Sequence, residues 1–274
     1  MPEKAFDPAA FRQFEQEGWN RLYAGYHKHW EHLTTQAIPQ LLDATGVAEG
    51  MHILDVASGP GYVSAAAAAR GAQTVGIDLA ENMKELAAET HPDLTFQLGD
   101  AEDLLFPDAA FDAVLINFGI LHFPNADTAL SEAHRVLKRD GRLGFTAWAG
   151  PENSAIGIAM GAIAKEGSLD VGLPIGTPLF RFADHVETER TLSEIGFSEI
   201  SSTSMVLTWR LPNPDALMES FQEATARTSG LLKAQDPATL PAIAAAMTEA
   251  CRPYEKESGT ELPMPAVLNT GTKH

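Results

Sequence analysis

Between residues 51 and 148, short apolar runs alternate with longer segments whose apolar residues recur every three or four positions. Short runs bounded by turn residues are typical of buried strands, and the longer spacing is typical of amphipathic helices. Strands that alternate with helices build a parallel sheet with right-handed crossovers. The pattern predicts strands at 52–56, 74–78, 94–98, 111–117 and 142–148, with helices at 62–70, 81–89 and 126–138.

The regions on either side of this alternation follow other patterns. Residues 1–45 repeat aromatic residues partly at helical spacing, so they predict an N-terminal helical cap in front of a core at 46–150. Residues 151–274 are expected to complete the core sheet. The pattern there predicts an irregular segment at 151–182, a helix at 183–195, a strand at 199–211, helices at about 213–254 and a last strand at 262–273.

Two of these later segments, about 151–182 and 213–258, are expected to be lid insertions. Insertions that follow strand ends stand over the ligand crevice of an α/β sheet. Their apolar residues predict the roof of an apolar pocket, although packing against a second copy of the chain is an alternative explanation. These residues are Ile156, Ile158, Met160, Leu173, Ile175, Phe180, Phe221, Leu231 and Leu232.

Composition narrows the classes of partner. The 274 residues carry a formal net charge of -18 and a single cysteine, Cys251. Phosphate backbones are neutralised by Lys and Arg, so this charge argues against a nucleic-acid partner, although it also simply favours solubility. One cysteine excludes an internal disulfide. No apolar run approaches the ~20 residues of a membrane span, and the first residues lack a signal-peptide pattern, so we expect a cytoplasmic protein without a membrane partner.

The strongest chemical signal is the glycine-rich turn that follows the first predicted strand. Its pattern is Asp55-x-Ala57-x-Gly59-x-Gly61, directly before a helix. Glycine lets a backbone approach a ligand closely, and N–H groups at a helix start suit a carboxylate or phosphate. The spacing differs from the Gly-x-Gly-x-x-Gly of dinucleotide sites, which weakens the alternative of a nicotinamide-dependent oxidoreductase.

Two further carboxylates follow the next two predicted strands. Asp78 ends the second strand, where a carboxylate can accept hydrogen bonds from both ribose hydroxyls, and Asp100 follows the third strand. Ligands of open α/β sheets bind outside the carboxyl ends of the strands. A lone aspartate is often only a turn residue, but the glycine turn and three aspartates together predict a nucleoside-type site.

With these motifs, the chain resembles the class I S-adenosylmethionine-dependent methyltransferases, and within them the ubiquinone/menaquinone-biosynthesis branch. The resemblance is strong over roughly 45–150 and weaker over 182–200. It implies a Rossmann-like α/β fold: a seven-stranded, mostly parallel sheet with helices on both faces, plus helical lid insertions. The matching segments are ILDVASGPGY (53–62), VGIDLAENM (75–83), GDAEDLLFPDAAFDAV (99–114) and EAHRVLKRDGRLGFTAW (132–148).

The resemblance also implies roles for individual residues. Gly59, Gly61 and the backbone of Ala57 would pass under the methionine moiety of S-adenosyl-L-methionine, and Asp55 would orient that loop or reach the amino group. Asp78 would hold the ribose. The remaining positions would be Leu79 and Met83 beside the adenine, Asp100 and Ala101 on the adenine edge, and Asn117 and Phe118 on the methionine side. Tyr26 joins this set if the N-terminal helix closes over the cofactor; packing is the alternative.

One histidine is a candidate general base. His122 follows the fourth predicted strand, where the acceptor and the methyl group should meet. The alternative is a residue that only shapes the pocket. No metal is expected. The resulting prediction is methyl transfer to a small, apolar or aromatic metabolite, and carbon or oxygen is favoured as the atom that receives the methyl group. A homodimer is possible. The alternative functions are a non-catalytic S-adenosylmethionine-binding protein and, less favoured, a nicotinamide-dependent oxidoreductase.

Overall fold

The computed structural model describes residues 5–274, and the chain divides into two compact units. The first, which we call the helical unit, comprises the described residues up to Leu33 together with Gly150–Ile175 and Val206–Pro265. The second, the sheet unit, comprises Thr34–Ala149, Gly176–Met205 and Ala266–His274.

The sheet follows the strand order β3-β2-β1-β4-β5-β8-β6. Strands β1 to β5 pair in parallel, and β8 runs antiparallel to β5. This path confirms the expected seven-stranded, mostly parallel α/β sheet, and a two-residue strand, β7, additionally pairs with β8. The strands are β1 His52–Val56, β2 Gln73–Asp78, β3 Thr95–Leu98, β4 Phe111–Asn117, β5 Leu137–Trp148, β6 Phe197–Leu211, β7 Glu255–Lys256 and β8 Gly259–Lys273.

Ten α-helices occur among residues 5–274. None of them is both long and apolar enough to cross a membrane. They are α1 Pro8–Thr34, α2 Ile38–Ala44, α3 Tyr62–Ala68, α4 Glu81–Thr90, α5 Ala126–Val136, α6 Ala155–Glu166, α7 His185–Ile195, α8 Ala216–Ala224, α9 Ala226–Lys233 and α10 Leu240–Cys251.

The core of the sheet unit forms between the strands and the helices that cross over them. Leu54 and Val114 of the central strands are fully buried, together with Leu130 of α5. Burial of each such side chain contributes about 1.5–3 kcal/mol. The apolar runs of the sequence therefore become central strands with both faces covered, as parallel sheets require.

The helical unit is organised around an aromatic cluster. The Trp30 ring of α1 lies 4.6 Å from the Trp209 ring and 5.7 Å from the Phe221 ring, measured between centroids. Phe221 is 1% exposed, and its ring meets Trp209 edge to face. Phe221, predicted in a pocket roof, is therefore buried in the core of the helical unit. The predicted N-terminal helix is confirmed, and its role as a cap stays a prediction.

Two local predictions were wrong. The helix predicted over 126–138 ends at Val136, because Leu137 begins β5 and pairs with Phe111 of β4. Lys138 then forms an ion pair with Asp112 at 2.8 Å. The segment 151–182, predicted to be irregular, contains α6, whose Ser154 hydroxyl caps the helix by accepting from the N–H of Gly157.

Candidate functional site

The parallel register brings the predicted residues of the sheet unit to one edge. In the central strand β1, Asp55 lies opposite Gly76 of β2 and Leu115 of β4. Asp78 lies two residues beyond Gly76, and Asn117 two residues beyond Leu115. The ends of β1, β2 and β4 therefore place these polar side chains beside the loop that follows β1.

That loop runs in the left-handed region of backbone space. Ala57, Gly59 and Gly61 have φ angles of 56°, 51° and 86°. A Cβ at Gly61 would lie 2.5 Å from Cζ of Phe96, so Phe96 of β3 packs directly against this glycine. A Cβ at Gly59 would meet nothing within 4 Å. Gly61 is thus fixed by packing, whereas the loop borders open space at Gly59.

Asp78 holds the loop from the neighbouring strand. Its Oδ2 accepts from the backbone N–H of Gly59 at 2.9 Å, and its Oδ1 accepts from the N–H of Ala80 at 2.9 Å. Burial raises the pKa of Asp78, while these N–H groups and the charge of His122 act in the opposite direction. The carboxylate is therefore anchored before any ligand arrives.

Asp55 is buried beneath the same loop. Its Oδ2 accepts from both the backbone N–H and the hydroxyl of Ser64, at 3.0 and 2.7 Å. Its Oδ1 is buried and has no hydrogen-bond partner among the described residues, and the same holds for the Ser58 hydroxyl. Burial raises the pKa of Asp55 to about 7. The nearby charge of Asp78 also raises this pKa, whereas the hydrogen bonds from Ser64 lower it.

The residues predicted beside an adenine lie after β2 and β3. Asp100 is half-buried, and its Oδ1 accepts from the N–H of Glu102 at 2.9 Å. The N–H of Gly99 donates to the carbonyl of Asp78 at 2.9 Å, which ties the two strand ends together. Met83 and Ala101 are buried, and Leu79 is half-buried.

Asn117 and Phe118 belong to a hydrogen-bond chain at the end of β4. The Thr146 hydroxyl accepts from the N–H of Phe118 and donates to Oδ1 of Asn117, both at 2.8 Å. The Asn117 amide donates to the carbonyl of Thr34 at 3.1 Å. Phe118 has a φ of 57° and stacks on Trp148, with 4.0 Å between ring centroids. The Asn117 side chain thus fixes the turn after β4.

The remaining two candidates lie in different units. His122 ends a single 3-10 turn, Ile120–His122, just after β4, and its charge acts on Asp78. Tyr26 lies on α1 in the helical unit, where its ring contacts the rings of Trp19 and Trp30. The roles of both residues remain predictions.

Sequence reasoning missed several residues that shape this edge. Ser58 lies inside the recognised glycine motif and Ser64 lies three residues after Gly61, but the contact of Ser64 with Asp55 depends on the fold of the turn. Phe96 and Thr146 come from other strands, and no local pattern marks them as partners of Gly61 and Phe118. A small polar residue nine positions after Asp55 was the only available signal.

Comparison with known proteins supports the assignment of this region. Residues 54–145 match a family model described as a methyltransferase domain. A demethylmenaquinone methyltransferase of Renibacterium salmoninarum is 36% identical over 44% of this chain and 48% of its own length, so the chain spans about half of that relative. The demethylmenaquinone methyltransferase of Paenarthrobacter aurescens is 29% identical over 75% of this chain and 84% of its own length.

A solved structure shows the same fold. It is phosphoethanolamine N-methyltransferase 2 of Haemonchus contortus, in complex with phosphomonomethylethanolamine and S-adenosylhomocysteine. The two chains superpose with a TM-score of 0.60 at 18% identity, covering 97% of this chain and 61% of the other. The matches confirm the resemblance over this part of the chain: residues 54–145 match a methyltransferase domain and are similar to the corresponding part of proteins named for ubiquinone and menaquinone biosynthesis.

Proposed function

We propose that the chain is an S-adenosylmethionine-dependent methyltransferase that acts on a small, apolar or aromatic metabolite. The observation that carries the proposal is the bond from the Gly59 N–H to the Asp78 carboxylate, next to open space at Gly59. A nucleoside needs a fixed acceptor for its ribose hydroxyls beside a backbone that it can approach closely, and this pair supplies both.

The residues present fit such a cofactor. Two buried oxygens, Oδ1 of Asp55 and the hydroxyl of Ser58, lack partners among the described residues. Buried polar groups are normally hydrogen-bonded, so these two atoms are suited to a ligand that carries donors, such as an amino group. S-adenosylmethionine supplies a methyl group that its positive sulfonium already activates.

Each residue then has a binding or positioning role. Asp78 accepts from the ribose. Asp100 accepts from the amino group of the adenine, and the N–H of Ala101 donates to its ring. Leu79 and Met83 lie beside the adenine. Asp55, the 57–61 loop, Asn117 and Phe118 hold the methionine end. Alignment of two reacting groups can be worth about 7–11 kcal/mol of barrier, so this positioning is the main contribution of the protein.

His122 is the proposed general base. When the acceptor gains the methyl group, a proton leaves its carbon or hydroxyl, and the imidazole takes that proton and passes it to water. His122 lies five residues after the end of β4. The Asp78 carboxylate is within electrostatic reach and favours the positive charge that the neutral imidazole gains with the proton, which supports this role. The Thr177 hydroxyl donates to the carbonyl of Leu121 at 2.7 Å and so stabilises the 3-10 turn that carries His122.

The acceptor class follows from the relatives. Several relatives are named demethylmenaquinone or ubiquinone/menaquinone biosynthesis methyltransferases. These names therefore favour an aromatic or quinol acceptor that is methylated at carbon or oxygen. The corresponding setting is a small-molecule reaction in the cytoplasm.

An assay of acceptor-dependent turnover tests this function. The chain is incubated with S-adenosylmethionine and reduced naphthoquinones that lack the ring methyl group. We expect S-adenosylhomocysteine to form only with an acceptor, together with a product 14 Da heavier, the mass of an added CH2. Tight cofactor binding without product from any quinol, phenol or amine acceptor would instead favour a non-catalytic binding protein. Absence of cofactor binding would contradict the proposal.

A further inference from the structure

A second cluster of potential ligands lies in the helical unit, where α1 packs on α8. One ligand atom each from His29, Glu219 and Glu223 lies within 4.8 Å of the others. Glu219 and Glu223 are four residues apart and therefore share one face of α8. The Nε2–H group of His29 donates a hydrogen bond to Oε2 of Glu223 at 2.8 Å, and a bound metal would take the place of this proton, which passes to water. Together they present one imidazole nitrogen and two carboxylates to a common point.

The other side of the histidine ring is oriented by a hydroxyl outside this cluster. The Ser220 hydroxyl lies 3.2 Å from Nδ1 of His29 and donates its proton to the carbonyl of Ala216 at 2.8 Å. Because that proton is engaged, the Ser220 oxygen accepts from the Nδ1–H group of His29. Metal-binding histidines are held in this way, with one nitrogen donating to a neighbour and the other directed at the metal.

A cationic side chain already occupies the mouth of the cluster. The ammonium of Lys28 lies 3.2 Å from Oε1 of Glu219 and 3.1 Å from Oε2 of Glu223. Lys28 is largely exposed, and its flexible side chain can move into water. Positive charge is thus favoured at this point, and a bound metal would compete with the ammonium for the same two carboxylates.

We propose that His29, Glu219 and Glu223 form a zinc site that links α1 to α8. One imidazole nitrogen with carboxylate oxygens is a donor set that Zn²⁺ accepts, with water completing the coordination. His29 is mostly buried, with 13% of its side chain exposed, whereas the two glutamates reach solvent. Zinc enters from the solvent side and fixes helices that are about 190 residues apart in sequence.

Sequence reasoning predicted no metal, and the separation of the ligands explains why. His29 and Glu223 are 194 positions apart, so no local motif connects them. The proposed site is independent of the methyltransferase proposal, because none of its residues belongs to the sheet unit.

Calorimetric titration of zinc chloride into the untagged full chain tests the site. We expect one tight zinc per chain in the wild type and at least about tenfold weaker binding in Glu223→Gln, because a ligand is lost. Ser220→Ala should weaken binding by roughly 10–100-fold, as losses of a ligand's hydrogen-bond partner typically do. Glu249→Gln, an exposed glutamate of α10 that pairs with Arg252, is the matched control and should bind like the wild type.

Lys28→Met supplies the second arm of the test, and it does not remove a ligand. Loss of the competing ammonium should make zinc binding tighter, and zinc should raise the melting temperature of this variant by more than that of the wild type. Equal zinc affinity in the wild type, Glu223→Gln and Glu249→Gln would overturn the proposal, as would a Lys28→Met variant that binds zinc no more tightly. If Glu223→Gln fails to fold, the Lys28→Met result decides.

Discussion

The carboxylate of Asp78 accepts a hydrogen bond from the backbone N–H of Gly59 at 2.9 Å. The last residue of β2 thus fixes the loop that follows β1, and the second Asp78 oxygen is held by the N–H of Ala80. This relationship joins two halves of the proposed cofactor site before a ligand is present. Preorganisation of this kind lowers the cost of ordering the site on binding.

Alanine at the two loop glycines should separate stability from binding. Gly61→Ala adds a Cβ 2.5 Å from the Phe96 ring in a left-handed conformation, so we expect the free energy of unfolding to fall by about 2–5 kcal/mol. Gly59→Ala meets no neighbour and should lose about 1–2 kcal/mol from backbone strain alone.

The cofactor affinities of these variants should differ in the opposite sense. The new methyl group of Gly59→Ala projects into the space proposed for the ligand. Gly59→Ala should therefore lose more cofactor affinity than Gly61→Ala, although it loses less stability. Urea unfolding and calorimetry measure the two quantities. Similar losses of stability in both variants would contradict the packing argument.

Replacement of Asp55 by asparagine should change how stability depends on pH. The folded-state pKa of about 7 lies above the ordinary value of 3.8, so the folded chain retains a proton that the unfolded chain loses. The stability that this group contributes is present below about pH 4 and is lost as pH rises toward 7. Asp55→Asn removes this dependence, so its stability relative to the wild type should rise by roughly 2–4 kcal/mol from pH 4 to pH 8.

Unfolding titrations at pH 4.5, 6 and 8 measure this difference. Asp93→Asn, at an exposed aspartate between α4 and β3, serves as the control and should not show the trend. A constant difference between Asp55→Asn and the wild type across these pH values would show that the Asp55 carboxyl titrates as an ordinary one.

His122→Ala should affect turnover and leave cofactor binding nearly unchanged. A positioned general base contributes about 10²–10⁴-fold to a rate, and a decrease of kcat in that range is expected. S-adenosylhomocysteine formation gives kcat, and calorimetry gives the affinity. His52→Ala, at the exposed start of β1, is the matched control. Wild-type turnover in His122→Ala would leave that residue as part of the pocket wall.

The sequence predicted the sheet well where its patterns are local. The bounds of β1 and β4 agree with the predicted 52–56 and 111–117, because apolar runs flanked by turns require little outside information. The gathering of Asp55, Asp78 and Asn117 at one edge also follows from strand order alone, since parallel strands end on the same side.

Contacts between distant segments could not be predicted from local sequence patterns. Leu137 leaves the predicted helix because it pairs with Phe111, and α6 forms although its glycines lower helix propensity. One of them, Gly157, lies too close to the carbonyl of Pro151 to accommodate a Cβ. Phe221 is buried between Trp30 and Trp209, which its apolar character could not distinguish from a pocket lining. Tertiary packing decides each of these cases.

The most direct test of the account is the affinity for S-adenosylmethionine of the wild type, Asp78→Ala and the control Asp93→Ala, measured by isothermal titration calorimetry. A hydrogen bond to a charged group is worth about 1.5–3 kcal/mol, so Asp78→Ala should bind at least about tenfold more weakly, while Asp93→Ala binds like the wild type. A wild type that does not bind, or an Asp78→Ala variant with unchanged affinity, would contradict the assignment of this strand edge as the cofactor site.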